Sequence, residues 1–295
     1  MTTARELEPL TITDVVVPVD DGVAPFELGV ACELFGLDRS DQALPTYSFA
    51  LAAVHNRPVR TTAGFSLTAD TGLDRLDTAD LVILVAGSWT ERAPDPALAA
   101  GLHAAHERGA HLMAICRGAF VLAATGLLDG QRATTHWRWT EELRARFPRI
   151  HVEPEVLYVD SGTLSTSAGT AAGIDLGLHL IRRAHGTRVA SEVARRMVVP
   201  PHRAGGQAQY IRRPLSRAAY QPPVQDVLDW ARTRLDEPLT VNDLAARARM
   251  TPRTFARHFV DNVGATPHQW LTAQRIELGR ELLETTALTV TAIAH

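Results

Sequence analysis

Short runs of branched apolar residues alternate with amphipathic stretches over the first two thirds of the chain. Ile12–Val19 (ITDVVVPV) is rich in β-branched residues and closes on Asp20-Asp21-Gly22, which predicts a buried strand followed by a turn. Phe26–Phe35 places Leu28, Ala31, Cys32 and Phe35 at helical spacing. Tyr47–His55, Leu81–Ala86 and His111–Ile115 predict further strands, and Ala97–Arg108, Phe120–Thr125 and Thr187–Met197 further helices. Strands alternating with helices imply an α/β fold, a doubly wound and mostly parallel sheet covered on both faces.

Periodicity fails at Pro200-Pro201-His202-Arg203-Ala204-Gly205-Gly206-Gln207 and does not return before Gln221-Pro222-Pro223. This stretch predicts a semi-extended linker over 200–222, with Arg203, Arg212, Arg213 and Arg217 solvated or touching DNA or the other domain. Beyond it Val227, Leu228, Ala231 and Leu235 mark a bracing helix. Val241, Leu244, Ala245 and Ala248 form one apolar stripe, opened by Thr240 with Asp243 three residues on, the pattern of a capping box. Thr251-Pro252 then supplies an N-cap and a proline at the first helical position. On that next helix Phe255, Ala256 and Phe259 share one side, leaving Arg253, Thr254, Arg257 and His258 on the other. Thr266-Pro267 starts a third helix to about Glu284, some 19 residues or about 28 Å.

Two successive capped helices with a basic outer face suit a helix-turn-helix. Guanidinium groups read guanine edges or hold phosphates, and Thr251, Arg253, Thr254, Arg257 and His258 are the candidate DNA contacts. Leu239–Phe259, followed by Gly264-Ala265-Thr266-Pro267-His268-Gln269-Trp270-Leu271 and Gln274-Arg275-Ile276, resembles the DNA-binding domain of AraC-type transcriptional regulators. In that family two helix-turn-helix units flank a linker helix. Here the second has only begun, at 288–295, so the domain over 223–295 is expected to be truncated and this chain to bind DNA weakly by itself.

Cys116 ends the strand His111–Ile115 in Ala114-Ile115-Cys116-Arg117-Gly118-Ala119. A cysteine on a sharp strand-to-helix turn sits above the sheet, where the helix N-terminus favours a thiolate and His136 could serve as its base. This region resembles the ThiJ/PfpI branch of the class I glutamine-amidotransferase-like fold, a flavodoxin-like architecture. The resemblance brings in Glu27 of Pro25-Phe26-Glu27-Leu28 beside the cysteine, His136 of Thr134-Thr135-His136-Trp137, and the strand-to-helix passage Ser165–Asp175. Ala114 and Arg117 depart from its elbow, where Gly and a small residue are usual. Arg117 either fills the pocket or binds an anionic ligand, so Glu27, Cys116, Arg117 and His136 are read as a ligand pocket on a domain without catalysis.

The combination resembles AraC-type regulators with a ThiJ/PfpI-like N-terminal domain, similar to the Streptomyces activator family of differentiation and secondary metabolism. It implies that residues 1–199 pair two copies and sense a small-molecule effector, that the partners are double-stranded DNA, a second copy and RNA polymerase, and that the protein is not an enzyme. Two alternatives stay open: a cysteine-dependent hydrolase or glyoxalase-like enzyme at Cys116, and a thiol redox sensor.

Composition changes this picture little. All 30 basic residues are Arg. Residues 1–199 carry 18 Arg against 24 acids, a net of −6, whereas 200–295 carry 12 against 9, a net of +3, so only the C-terminal part leans toward a polyanion. Two cysteines make no disulfide framework, the N-terminus is polar, and no run approaches the roughly 20 apolar residues of a membrane helix, which points to a cytoplasmic protein without a membrane partner. His55, His103, His106, His111 and His151 lack metal-ligand spacing, and no phosphate loop or dinucleotide fingerprint occurs, so no cofactor or metal is expected.

Overall fold

The computed structural model describes residues 10–88, 92–203, 205–206, 223–263, 265–286 and 288–294. Its contacts divide the chain into two units, Met1–Gly206 and Gln207–His295. In the first unit seven strands form one sheet: β1 (Asp14–Val19), β2 (Ser48–Ala53), β3 (Thr71–Gly72), β4 (Leu81–Leu84), β5 (His111–Ile115), β6 (Tyr158–Asp160) and β7 (Leu164–Ser167). They run in the order β6-β7-β5-β4-β1-β2-β3. Every pairing is parallel except that of β6 with β7.

Alternation along the strands divides the core into two layers. Val15, Val17, Val19, Ile83, Met113 and Ile115 pack with α1 (Pro25–Ala31) and α5 (Ala171–Arg196). Val16, Val82, Leu84, Leu112 and Ala114 pack with α2 (Pro96–Glu107), α3 (Gly118–Thr125) and α4 (Thr140–Arg146). Both faces of the central strands are therefore dry, as a parallel sheet requires. The chain is thus the doubly wound α/β protein that its pattern implies.

Several boundaries differ from the periodic reading. The helix expected through Phe35 gives way after Ala31 to a π-helical turn, Cys32–Gly36, whose end is held by Arg39. The Arg39 guanidinium is fully buried and donates to the carbonyls of Leu34 and Glu33. The helix expected over Thr187–Met197 is the second half of α5, which is interrupted by Gly186 at φ 85° and ψ 169°. Strand β4 stops at Leu84, two residues short of the expected Ala86.

The second unit has five helices among the described residues: α6 (Pro223–Arg232), α7 (Val241–Arg247), α8 (Pro252–Val263), α9 (Pro267–Thr285) and α10 (Val290–Ala294). Leu244, Ala245, Phe255, Phe259, Trp270 and Leu271 form its centre, joined by Val227, Leu228 and Ala231 of α6. Phe259 packs between Phe255, 5.4 Å away, and Trp270 at 5.8 Å. Arg275 of α9 donates to the carbonyls of Leu235 and Glu237, tying this long helix to the end of the bracing segment. Arg212, Arg213 and Arg217, with most of the expected linker, lie outside the described residues.

Candidate functional site

The elbow lies at the carboxyl ends of the central strands, the side on which open α/β sheets bind ligands. Cys116 follows β5 directly and adopts φ 56°, a left-handed backbone rare for a residue with a Cβ. Its N–H donates to the Ser167 carbonyl at 3.0 Å, and its carbonyl accepts from the Thr135 hydroxyl at 2.8 Å. Gly118 makes the turn passable, since a Cβ there would fall 2.1 Å from the Leu84 carbonyl oxygen. Behind the sulfur Gly169, at φ 86°, leaves no room for a side chain: its Cβ would lie 2.3 Å from that of Cys116. Thr170, at φ 44°, then opens α5.

Glu27 is 4% exposed and accepts a hydrogen bond from the Ala86 N–H at 2.8 Å. Its carboxyl also hydrogen-bonds the Cys116 thiol. Burial pushes the Glu27 carboxyl above its ordinary range, against the pull of Ala86, Cys116 and the nearby Arg117 charge. Burial likewise pushes the Cys116 thiol up, and the neighbouring carboxyl adds to the rise. The Arg117 N–H and guanidinium act in the opposite direction and do not compensate. The thiolate expected from the helix N-terminus is therefore not what this elbow stabilises.

The Arg117 guanidinium lies over the Trp139 ring at 4.5 Å from its centroid, and that of Arg138 over the same ring at 5.2 Å. His136 caps the short turn Trp137–Trp139, its Nδ1 accepting from the Arg138 N–H at 3.2 Å. Its ring lies against Trp137, and burial with the Arg138 charge lowers its pKa. Among the described residues no hydrogen bond joins His136 to Cys116, so the expected base is turned to its own loop. The structure brings Glu27, Cys116 and Arg117 together, with Thr135 rather than His136 as the contact from that loop. Thr135 is marked in the sequence only by the run Thr134–Trp137, whereas Trp139 and the Ala86 amide carry no local sequence signal. No group of side chains among the described residues could hold a metal ion.

In the second unit Thr240 and Asp243 form the complete capping box at the start of α7. Arg249, at φ 54°, turns the chain toward α8. There Thr251 accepts from the Thr254 N–H at 3.3 Å and donates to its hydroxyl at 2.9 Å. Both threonines are thus partly committed to the helix start. Arg253 and Arg257, one turn apart, are exposed, and among the described residues neither forms an ion pair. His258 is half-buried beside them.

The DJ-1/PfpI family model matches residues 13–183, and a helix-turn-helix domain model matches residues 244–295. The HTH-type transcriptional regulator CdhR of Pseudomonas aeruginosa is 32% identical over 248 residues, covering 84% of this chain and 74% of that protein. An isonitrile hydratase of Pseudomonas putida is 37% identical over 91 residues, 31% of this chain and 39% of its own. The fold resembles the crystal structure of an AraC family transcriptional regulator from Pseudomonas putida, with TM-score 0.54 and 22% identity over 63% of this chain and 99% of that one.

Proposed function

The chain belongs to the DJ-1/PfpI family and, carrying a helix-turn-helix domain, is a DNA-binding transcriptional regulator; we propose that its elbow is a ligand pocket without catalytic turnover. In this reading residues 1–199 pair two copies and bind a small effector, 200–222 connect, and 223–295 read DNA through Arg253 and Arg257. Double-stranded DNA is the macromolecular partner, with RNA polymerase engaged at the promoter. The observation carrying the elbow's role is the Glu27–Cys116 pair. Both groups resist ionisation, and a nucleophilic cysteine works as its thiolate. Attack would require Glu27 to take the thiol proton inside a dry site, with no histidine bonded to either group among the described residues.

The DJ-1/PfpI relative with hydratase activity makes an enzyme the competing reading. Purified wild type and Cys116→Ser should be compared on small esters, amides, isonitriles and α-oxoaldehydes, beside a gel shift. We expect no Cys116-dependent turnover and nearly equal DNA binding by the two proteins. Robust turnover lost in Cys116→Ser would overturn the non-catalytic reading while leaving DNA binding in place.

A further inference from the structure

Helix α8 is divided lengthwise by what it packs against. Phe255 and Phe259 are fully buried in the core of the second unit, and Val263 packs on that core. Successive residues turn by about 100°, so the direction opposite the two phenylalanines runs along Arg257, with Arg253 and Val260 to one side of it. These three fall at i, i+4 and i+7, and all are exposed. Val260, 37% exposed, is therefore an apolar side chain on the outer face, apart from the core that the rest of the helix serves.

The other polar groups of this helix are already engaged. Thr251 and Thr254 direct their hydroxyls to each other and to the helix start. Asn262, the one amide side chain of α8, donates to the His258 carbonyl at 2.7 Å. In the major groove adenine is read by Asn or Gln, guanine by Arg through O6 and N7, and thymine by apolar contact with its C5 methyl group. The outward stripe thus carries readers of guanine and one of thymine, and none of adenine. A lone valine on an open surface calls for no role. On the face that a recognition helix turns into the groove, it is stripped of water against base edges.

We propose that Val260 is a specificity-determining residue, contacting the C5 methyl group of a thymine that lies about one base pair beyond a guanine read by Arg257. The inference rests on the reading of α8 as the helix that enters DNA. At about 1.5 Å per residue Val260 stands about 4.5 Å further along the helix than Arg257. Base pairs stack about 3.4 Å apart, so the interval corresponds to about one step. Recognition helices of this class read bases over a stripe of about seven residues, which the span from Arg253 to Val260 matches. The contact is apolar and independent of charge, so it adds sequence preference without adding affinity for DNA in general.

The test uses the full chain and a duplex that wild type enriches from random DNA. Each thymine is replaced in turn by deoxyuridine, which lacks only the methyl group, and each guanine by its 7-deaza analogue, which lacks only the N7 acceptor. Wild type should lose about fourfold in affinity at one thymine, within about two base pairs of a guanine whose N7 also matters. Val260→Ala should bind the unmodified duplex about fourfold more weakly and be indifferent to that deoxyuridine. Val260→Thr, which keeps a methyl group, should retain most of the difference. Val260→Ala should stay sensitive to the N7 replacement, whereas Arg257→Ala should not. A merely structural role for Val260 would weaken binding to the duplexes with and without the methyl group alike. No thymine at which removing the methyl group weakens wild type, or an equal loss in Val260→Ala, overturns the proposal while the response to N7 still marks α8 as the reader. If wild type enriches no sequence, or if wild type and Arg257→Ala respond alike to every N7 replacement, the reading beneath fails first and the proposal with it.

Discussion

Gly118 and His111 show how single positions hold the elbow's scaffold. A methyl group at Gly118 would meet the Leu84 carbonyl, backbone of a central strand that cannot retreat. Gly118→Ala should therefore destabilise the protein by about 2 kcal/mol or more, measurable by urea unfolding. His111 is fully buried at the start of β5, its Nε2 2.8 Å from the Ser165 hydroxyl, and burial drives its pKa down to about 4. The fold thus keeps a neutral imidazole that the unfolded chain protonates near 6.5. Its contribution is complete above about pH 6.5, falls as pH drops through that value, and stops falling near pH 4. Between about pH 7.5 and about pH 5 wild type should lose about 2 kcal/mol more than His111→Asn, a difference that sets aside the carboxylates common to both. Equal losses would mean that His111 titrates normally.

At the scale of the element, α7 depends on its cap and on α8, the helix proposed to read DNA. Helix α7 has seven residues, too few to persist alone, so its cap and its packing on α8 decide whether it forms. Thr240→Ala removes one arm of the capping box and should cost about 1 kcal/mol in the stability of the C-terminal unit, seen as an earlier thermal transition. This box was legible in the sequence because it is local: two residues three apart satisfy each other's backbone groups. So were the outer face of α8 and the strand runs, whose periods are set by residues close in the chain. The π-helical turn after Ala31 and the kink at Gly186 were not, because each is dictated by what packs against it. Arg39, buried under the turn it caps, gives no sign of this in its neighbours Asp38 and Ser40.

For the whole molecule, legibility followed sequence distance. The elbow cysteine announced itself by ending a strand before Gly118, whereas Glu27 came only through family resemblance, since 89 residues separate it from its partner. The Arg203–Asp175 pair is hidden in the sequence for the same reason. Arg203 meets Asp175 across 28 residues, and a Pro- and Gly-rich stretch without period reads as linker however firmly it is held. Among the described residues no helix is long and apolar enough to cross a membrane, and the positive balance of residues 200–295 comes from the four arginines of 200–222, since 223–295 carries 8 Arg against 9 acids.

The central claim, that α8 reads DNA for this regulator, is tested most directly by the salt dependence of operator binding for the full chain and for Arg253→Ala and Arg257→Ala. A residue reading a base should cost about 1–3 kcal/mol when removed and relax preference at one position, whereas one holding a phosphate should flatten the salt slope by about 1. The account predicts one or the other for each arginine. Unchanged affinity and unchanged slope in both variants would contradict it.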